Sequence, residues 1–266
     1  MSKSLLLSRW PARIFVGILA GCFFLFLGVP LVALLFHEPP GLLWAAMQQP
    51  EALQALQLSI YTTSISTLLT VLFGLPVAYV LARMQFPGHN LLETLVTLPT
   101  VFPPVVAGVA LLLTFGRFGL IGRYLTPLGL SIPFTTPAVI LAQMFVSSPF
   151  FINTAKAGLE QLDRRYEQAA YTLRASPFYA FRRVVMPLIR PALLTGIGLA
   201  WARALGELGA TITFAGNFPG VTQTMPLAVY LLLGTNPEGS YILSLILLVV
   251  SLVVLVGLRH RWLGSA

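Results

Sequence analysis

The sequence predicts an all-α integral membrane protein with six transmembrane helices, and three observations lead there. First, 57% of its 266 residues are hydrophobic and 9% are charged. A soluble domain carries about 25% charged residues to keep its surface in water, and the mean hydropathy here is +0.86. Second, apolar runs bounded by turn residues recur at about 14–36, 56–82, 91–115, 134–155, 192–215 and 240–258. Each is long enough, at about 1.5 Å per residue, to cross a hydrocarbon core of about 30 Å. Third, the basic residues sort to one side. With the N-terminus inside, Lys3, Arg9, Arg13, Arg83, Lys156, Arg164, Arg165, Arg174, Arg182, Arg183, Arg190, Arg259 and Arg261 all face the cytoplasm, while Arg117 and Arg123 lie outside. The positive-inside rule therefore places both termini in the cytoplasm. The net charge of +8 then meets anionic membrane lipid, and nucleic acid is not needed to explain it. One cysteine, Cys22, excludes an internal disulfide framework.

Each run carries its own signal. The first contains Leu19-Ala20-Gly21-Cys22, the form of a lipoprotein cleavage box. Its apolar stretch continues through Phe36, so an uncleaved first helix is expected. Pro76 lies in the second span, Pro99, Pro103 and Pro104 in the third, and Pro149 in the fourth. Each proline frees a carbonyl that lipid does not satisfy, which marks kinked segments packed on protein or lining a cavity. Three prolines in six positions around Thr100 make the third span the most disrupted. No internal repeat or soluble domain interrupts the pattern, so residues 1–266 read as one transmembrane domain.

The longest polar stretch runs from about 156 to 190. Within it Leu159, Leu162, Tyr166, Ala169 and Leu173 are spaced 3, 4, 3 and 4 apart, one stripe of an α-helix. Arg164, Arg165, Glu167, Gln168, Thr172 and Arg174 lie opposite. Ser176 followed by Pro177 reads as an N-cap and first-turn proline, so a second short helix should carry Phe178, Phe181 and Val185 until Pro187 ends it. Two short helices outside the lipid form a knob. Periodicity alone leaves open whether it ties spans four and five together or docks a partner.

The residues of this knob carry a resemblance. Glu167-Gln168-Ala169-Ala170, three residues, Arg174, nine residues, Val184, one residue and Met186-Pro187 resemble the EAA loop of ABC importer permeases. Gln168 stands where Glu is usual, Arg174 where Gly is usual, and Met186 where Leu is usual. Glu167 is positioned to serve for the displaced acid, whereas Arg174 removes an easy helix break and adds a charge. Further segments, 98–108, 116–122, 202–211, 214–220 and 222–228, are similar to molybdate permeases, and sulfate and thiosulfate permeases carry similar ones. The resemblance covers roughly residues 55–260.

It implies a type I ABC importer permease core acting as a homodimer with two ABC ATPase subunits and a periplasmic or extracellular oxyanion-binding protein, in a bacterial plasma membrane. The loop would be the coupling helix seated in a cleft of the ATPase. The implied function is ATP-driven import of molybdate, with tungstate or sulfate and thiosulfate as the alternative substrates. The chain itself has no Walker A sequence, and its only lysines are Lys3 and Lys156. ATP and magnesium would therefore belong to the partner, with no cofactor on this chain.

Along the transport path, Arg203 and Glu207 are four apart in span five. A charge at mid-bilayer costs about 2.5–3.5 kcal/mol on insertion scales, so such residues pair or face water. They form a salt bridge holding the bundle, or Arg203 offers its guanidinium to a tetrahedral oxyanion. Thr211, Thr213 and Thr100 supply hydroxyls, and Pro103 lies in the broken segment; these are the remaining path candidates. Gly206 and Gly209 read as close-packing positions. His37, His89 and His260 lack metal-ligand spacing. No catalytic motif occurs, and an ion-gradient transporter would need more intramembrane acids and repeated halves.

Overall fold

A computed structural model describes residues 10–37, 41 and 49–263, and among them every regular element is helical. Among the described residues four helices are long and apolar enough to span: α1 (Trp10–Phe36), α2 (Pro50–Arg83), α5 (Thr136–Gln161) and α11 (Pro237–Leu263). Two bent pairs bring the total to six if each pair is one span. One is α3 (His89–Thr97), extended by a 3-10 turn over Leu98–Thr100, with α4 (Pro104–Phe115). The other joins the second loop helix to α8 (Arg190–Leu205), which α9 (Gly209–Ala215) follows. Lys3 and Arg9 lie outside the described residues, as do the side chains of Arg259, His260 and Arg261.

The prolines act unequally. α2 and α5 continue through Pro76 and Pro149, whereas the third run breaks between Thr100 and Pro104 and bends by 117°. A single missing N–H is tolerated inside a packed helix; adjacent Pro103 and Pro104 remove two consecutive donors, and the helix breaks there. The expected continuous span over 192–215 is also corrected: it stops at Leu205 and restarts at Gly209. A nine-residue helix, α10 (Met225–Leu233), was not expected. At about 13 Å it is too short to cross.

α5 is the central helix, packed against α2, α4, α8 and α9. Small residues permit the close approach expected of helices in lipid. A Cβ on Gly74 would meet Ile152 at 2.9 Å, and one on Gly196 would meet Phe151 at 3.1 Å. One core cluster joins α2, α5 and α8 around Phe151, Leu159 and Leu193; another joins α4, α5 and α9 around Phe214; a third joins α2, α10 and α11 around Met225. α1 stays outside, exposed along its apolar length and lightly against α11.

Candidate functional site

The loop leaves α5 at Gln161 and forms α6 (Arg165–Thr172) and then α7, which is Pro177–Ala180, a π turn over Phe181–Val185 and Met186–Leu188. Ser176 caps α7 as expected, its Oγ accepting from the Tyr179 N–H at 3.3 Å. Pro187 does not end this helix, because the π turn resets the hydrogen-bond register ahead of it. α7 then turns by 73° into α8.

The expected amphipathic stripe is divided and partly inverted. Leu159 belongs to α5 and is buried, while Tyr166 and Ala169 on α6 and Leu173 at its C-cap are exposed, Leu173 by 83%. Glu167, from the polar side, is buried. The reason is Arg83 at the end of α2, whose Nη2 lies 2.7 Å from Glu167 Oε1. Arg83 also donates to the Leu162 carbonyl at 3.3 Å, and Arg164 donates to the Arg83 carbonyl at 3.4 Å. Three polar links thus bind the loop to the end of α2. Leu173 and Phe178 lie bare, Tyr166 and Tyr179 half so. An apolar patch of this kind, flanked by charge, marks an interaction surface.

Arg174 takes the left-handed conformation at φ +62°. The bend that its side chain was expected to put in doubt forms completely: Arg174 N–H donates to Tyr171 O at 2.9 Å and Ala175 N–H to Ala170 O at 3.1 Å. These are the two bonds of a Schellman motif, whose left-handed position is usually glycine. An L-residue there costs about 1–2 kcal/mol of strain. Gln168 is exposed, Ala170 buried, and Val184 and Met186 half-buried, Met186 against the core of α2, α5 and α8.

Deeper in the bundle, the two broken helices meet. A Cβ on Gly209 would lie 2.6 Å from Pro104 Cβ, and one on Gly108 would lie 2.5 Å from Thr213 Cβ and 2.8 Å from Ala210 O. Gly209 is thus a close-packing position as expected. Gly206 is not: it is exposed, and its nearest neighbour would be Ala202 O at 3.7 Å. Arg203 and Glu207 pair with each other, Nη1 to Oε2, at 2.7 Å. Glu207, 1% exposed, also accepts the Ala210 N–H at 2.8 Å through Oε1, so one carboxylate closes the helix break and neutralises the arginine. Arg203 keeps some exposure.

Thr213 spends its hydroxyl on Gly209 O at 2.8 Å and Thr100 on Thr97 O at 2.7 Å. Thr211 is fully buried, and among the described residues its hydroxyl has no hydrogen-bond partner. Thr100 and Pro103 sit exposed on the elbow between α3 and α4. Thus Thr213 packs on α4 at Gly108 and Gly209 on Pro104 beside the elbow, while Arg203 lies on the other side of the break.

Sequence reading passed over three groups. Arg83 looked like an ordinary end-of-span cation; its four-residue distance from Tyr79, whose ring meets Phe181 edge-on at 5.3 Å, was the available hint. Ser59, Thr62, Thr63, Ser66 and Thr70 form a buried hydroxyl seam on α2, visible as polar residues at helical spacing in an apolar run. Gln143 of α5 donates to Thr63 Oγ1 at 3.4 Å, and Ser59 Oγ accepts the Met225 N–H of α10 at 2.7 Å. At the loop end, Lys156 of α5 pairs with Glu93 of α3 and, at 3.4 Å, with Glu160. His89 begins α3 and donates to Leu81 O at 2.9 Å.

Comparison with known proteins follows the same lines. Residues 70–265 match the family described as binding-protein-dependent transport system inner membrane component. The molybdenum transport system permease protein ModB of Mycobacterium tuberculosis is 44% identical over 255 residues, covering 96% of this chain and 95% of that protein. ModB of Escherichia coli K12 is 39% identical over 212 residues, 79% of this chain and 93% of its own. The probable sulfate transport system permease cysT of Nephroselmis olivacea is 37% identical over 218 residues, 82% of this chain and 76% of its own. Among solved structures, a bacterial ABC transporter involved in import of the acidic polysaccharide alginate superposes with a TM-score of 0.76 at 16% identity, over 97% of this chain and 98% of that one. The inward-facing MetNI methionine ABC transporter gives 0.66 at 14% identity, over 86% of this chain and all of the other. At such identities the structures speak for the fold, a type I ABC importer permease.

Proposed function

The chain belongs to the binding-protein-dependent transport inner membrane components, and from that premise we propose that it is the membrane permease of an ATP-driven molybdate importer. The observation that carries the substrate is the 44% identity to ModB over nearly the whole of both chains. The sulfate permease at 37% identity supports sulfate or thiosulfate as the second reading, with tungstate the nearest chemical competitor of molybdate.

Two copies of the chain would enclose the path, two P-loop ATPases would bind ATP and magnesium on the cytoplasmic side, and a binding protein would deliver the oxyanion from the other. This chain has no chemistry of its own to perform. The basic loop end lies in the cytoplasm, with both termini, in a bacterial inner membrane. The residues of the coupling loop are Glu167, Gln168, Ala169, Ala170, Arg174, Val184, Met186 and Pro187. Of these Glu167 acts inward: it holds α6 on α2 through Arg83, so displacement of the knob by a closing ATPase moves α2 directly. The same displacement reaches α8 through α7, which is joined to it by the single residue Ile189 at a 73° bend.

On the path, Arg203 supplies positive potential tempered by Glu207, and the hydroxyl of Thr211, buried in this conformation, would be uncovered for a passing oxyanion when the helices move. A dianion is thereby solvated without being trapped. Uptake of labelled molybdate into vesicles holding the complex and its binding protein, competed with tungstate and sulfate, tests the reading. Equal or stronger competition by sulfate would transfer it to the sulfate permeases; uptake that survives replacement of the P-loop lysine would remove ATP drive.

A further inference from the structure

We propose that Arg174 is the residue by which this permease selects its ATPase, through an ion pair with a carboxylate in the ATPase cleft. The inference rests on the loop being the ATPase handle and goes beyond it by naming the partner's chemistry at one position.

Four observations carry it. Both hydrogen bonds of the bend come from the backbone, so the bend does not need the arginine side chain, and glycine would adopt φ +62° without strain. The guanidinium is exposed, and among the described residues nothing pairs with it. It is also the one charged side chain lining an open hollow of about 850 Å³ between α6 and α7, where Tyr166, Leu173, Ser176 and Tyr179 form the walls. Finally, the nearby acids are already engaged: Glu167 with Arg83, Glu160 with Lys156, and Asp163 with Arg165 at 3.8 Å.

The outer surface of the loop therefore presents Arg164, Arg165, Arg174, Arg182 and Arg183, all exposed, with no uncommitted carboxylate among them. Complementary potential requires an acidic cleft. Leu173 and Phe178, almost bare in the free chain, would shield the pair from water once docked, where an ion pair gains strength. Rim arginines would act mainly on the rate of encounter; Arg174, inside the hollow, would act on residence.

The test uses the full permease with its cognate P-loop ATPase. Affinity is measured in nanodiscs over a range of salt for wild type, Arg174→Gly and Arg174→Glu. The glycine variant keeps the bend, so any loss reports the side chain. Expected are an affinity about tenfold lower for Arg174→Gly, a flatter salt dependence, a larger loss for Arg174→Glu, and recovery of the latter when the facing ATPase carboxylate is replaced by lysine. Wild-type affinity and salt slope in Arg174→Gly would overturn the proposal. So would a loss that vanishes when anionic lipid is omitted from the nanodisc, since the arginine would then serve lipid headgroups. Absence of ATPase binding by wild type would instead refute the docking reading on which the proposal stands.

Discussion

Replacing Glu167 by glutamine keeps the shape of the side chain and removes the charge that Arg83 faces at 2.7 Å. Both side chains are about one-tenth exposed or less at their charged partner, so the variant leaves a largely buried guanidinium without its counter-ion. Removing one member of a buried pair costs about 3–5 kcal/mol. Arg83 retains its bond to Leu162 O, which places the expectation at the lower end, about 3 kcal/mol. At about 1.4 kcal/mol per factor of ten, detachment of α6 from α2 should become roughly 100-fold more frequent. Hydrogen–deuterium exchange of the α6 amides in the purified complex measures this, up to the limit set by the free energy of opening. The companion variant, Arg83→Met with Glu167→Leu, replaces the pair by apolar groups of similar size and should restore protection. With α6 unpinned, ATP hydrolysis should continue while transport falls, because the knob then moves without α2. Exchange in Glu167→Gln equal to wild type, or a double variant as unprotected as the sum of the singles, would refute the strut.

Other outcomes follow from the same geometry. Glu207→Ala removes both the partner of Arg203 and the acceptor of the Ala210 N–H and should destabilise by about 3–5 kcal/mol, seen as a lower thermal midpoint in detergent; Glu207→Gln keeps the acceptor and should lose less. Gly209→Val would drive side-chain atoms into Pro104 and cost about 1–3 kcal/mol by overpacking, with transport lost before folding is. Thr211→Val removes a buried hydroxyl with no partner among the described residues; stability should change by less than about 1 kcal/mol, and a fall in molybdate uptake at unchanged midpoint would mark Thr211 as part of the path. Ser176→Ala deletes the cap of α7 and should cost about 1 kcal/mol, read as faster exchange at Tyr179.

Much of the fold was legible because membrane insertion is decided by local composition. Apolar length, basic flanks and the Ser176-Pro177 start signal are short-range properties, and the chain needs no distant partner to express them. The same holds for the loop spacing and for the break at Pro103-Pro104, where the missing N–H groups belong to the residues themselves.

Facing was a different matter. Helical periodicity assigned Leu173 to a buried stripe and Glu167 to water, and the structure reverses both, because Arg83 is brought from more than 80 residues away to meet the acid. Arg203 and Glu207 are four apart in sequence, yet only the fold shows the helix stopping between them, with one carboxylate serving the cation and the backbone together. Sequence by itself determined which segments are apolar and long enough for the membrane and that the third is broken at its prolines; tertiary structure decided where the fifth breaks and which polar groups find each other there. In lipid an unpaired charge or donor is costly, so the buried polar contacts are set by what the completed bundle brings within reach, and that is a property of no single segment.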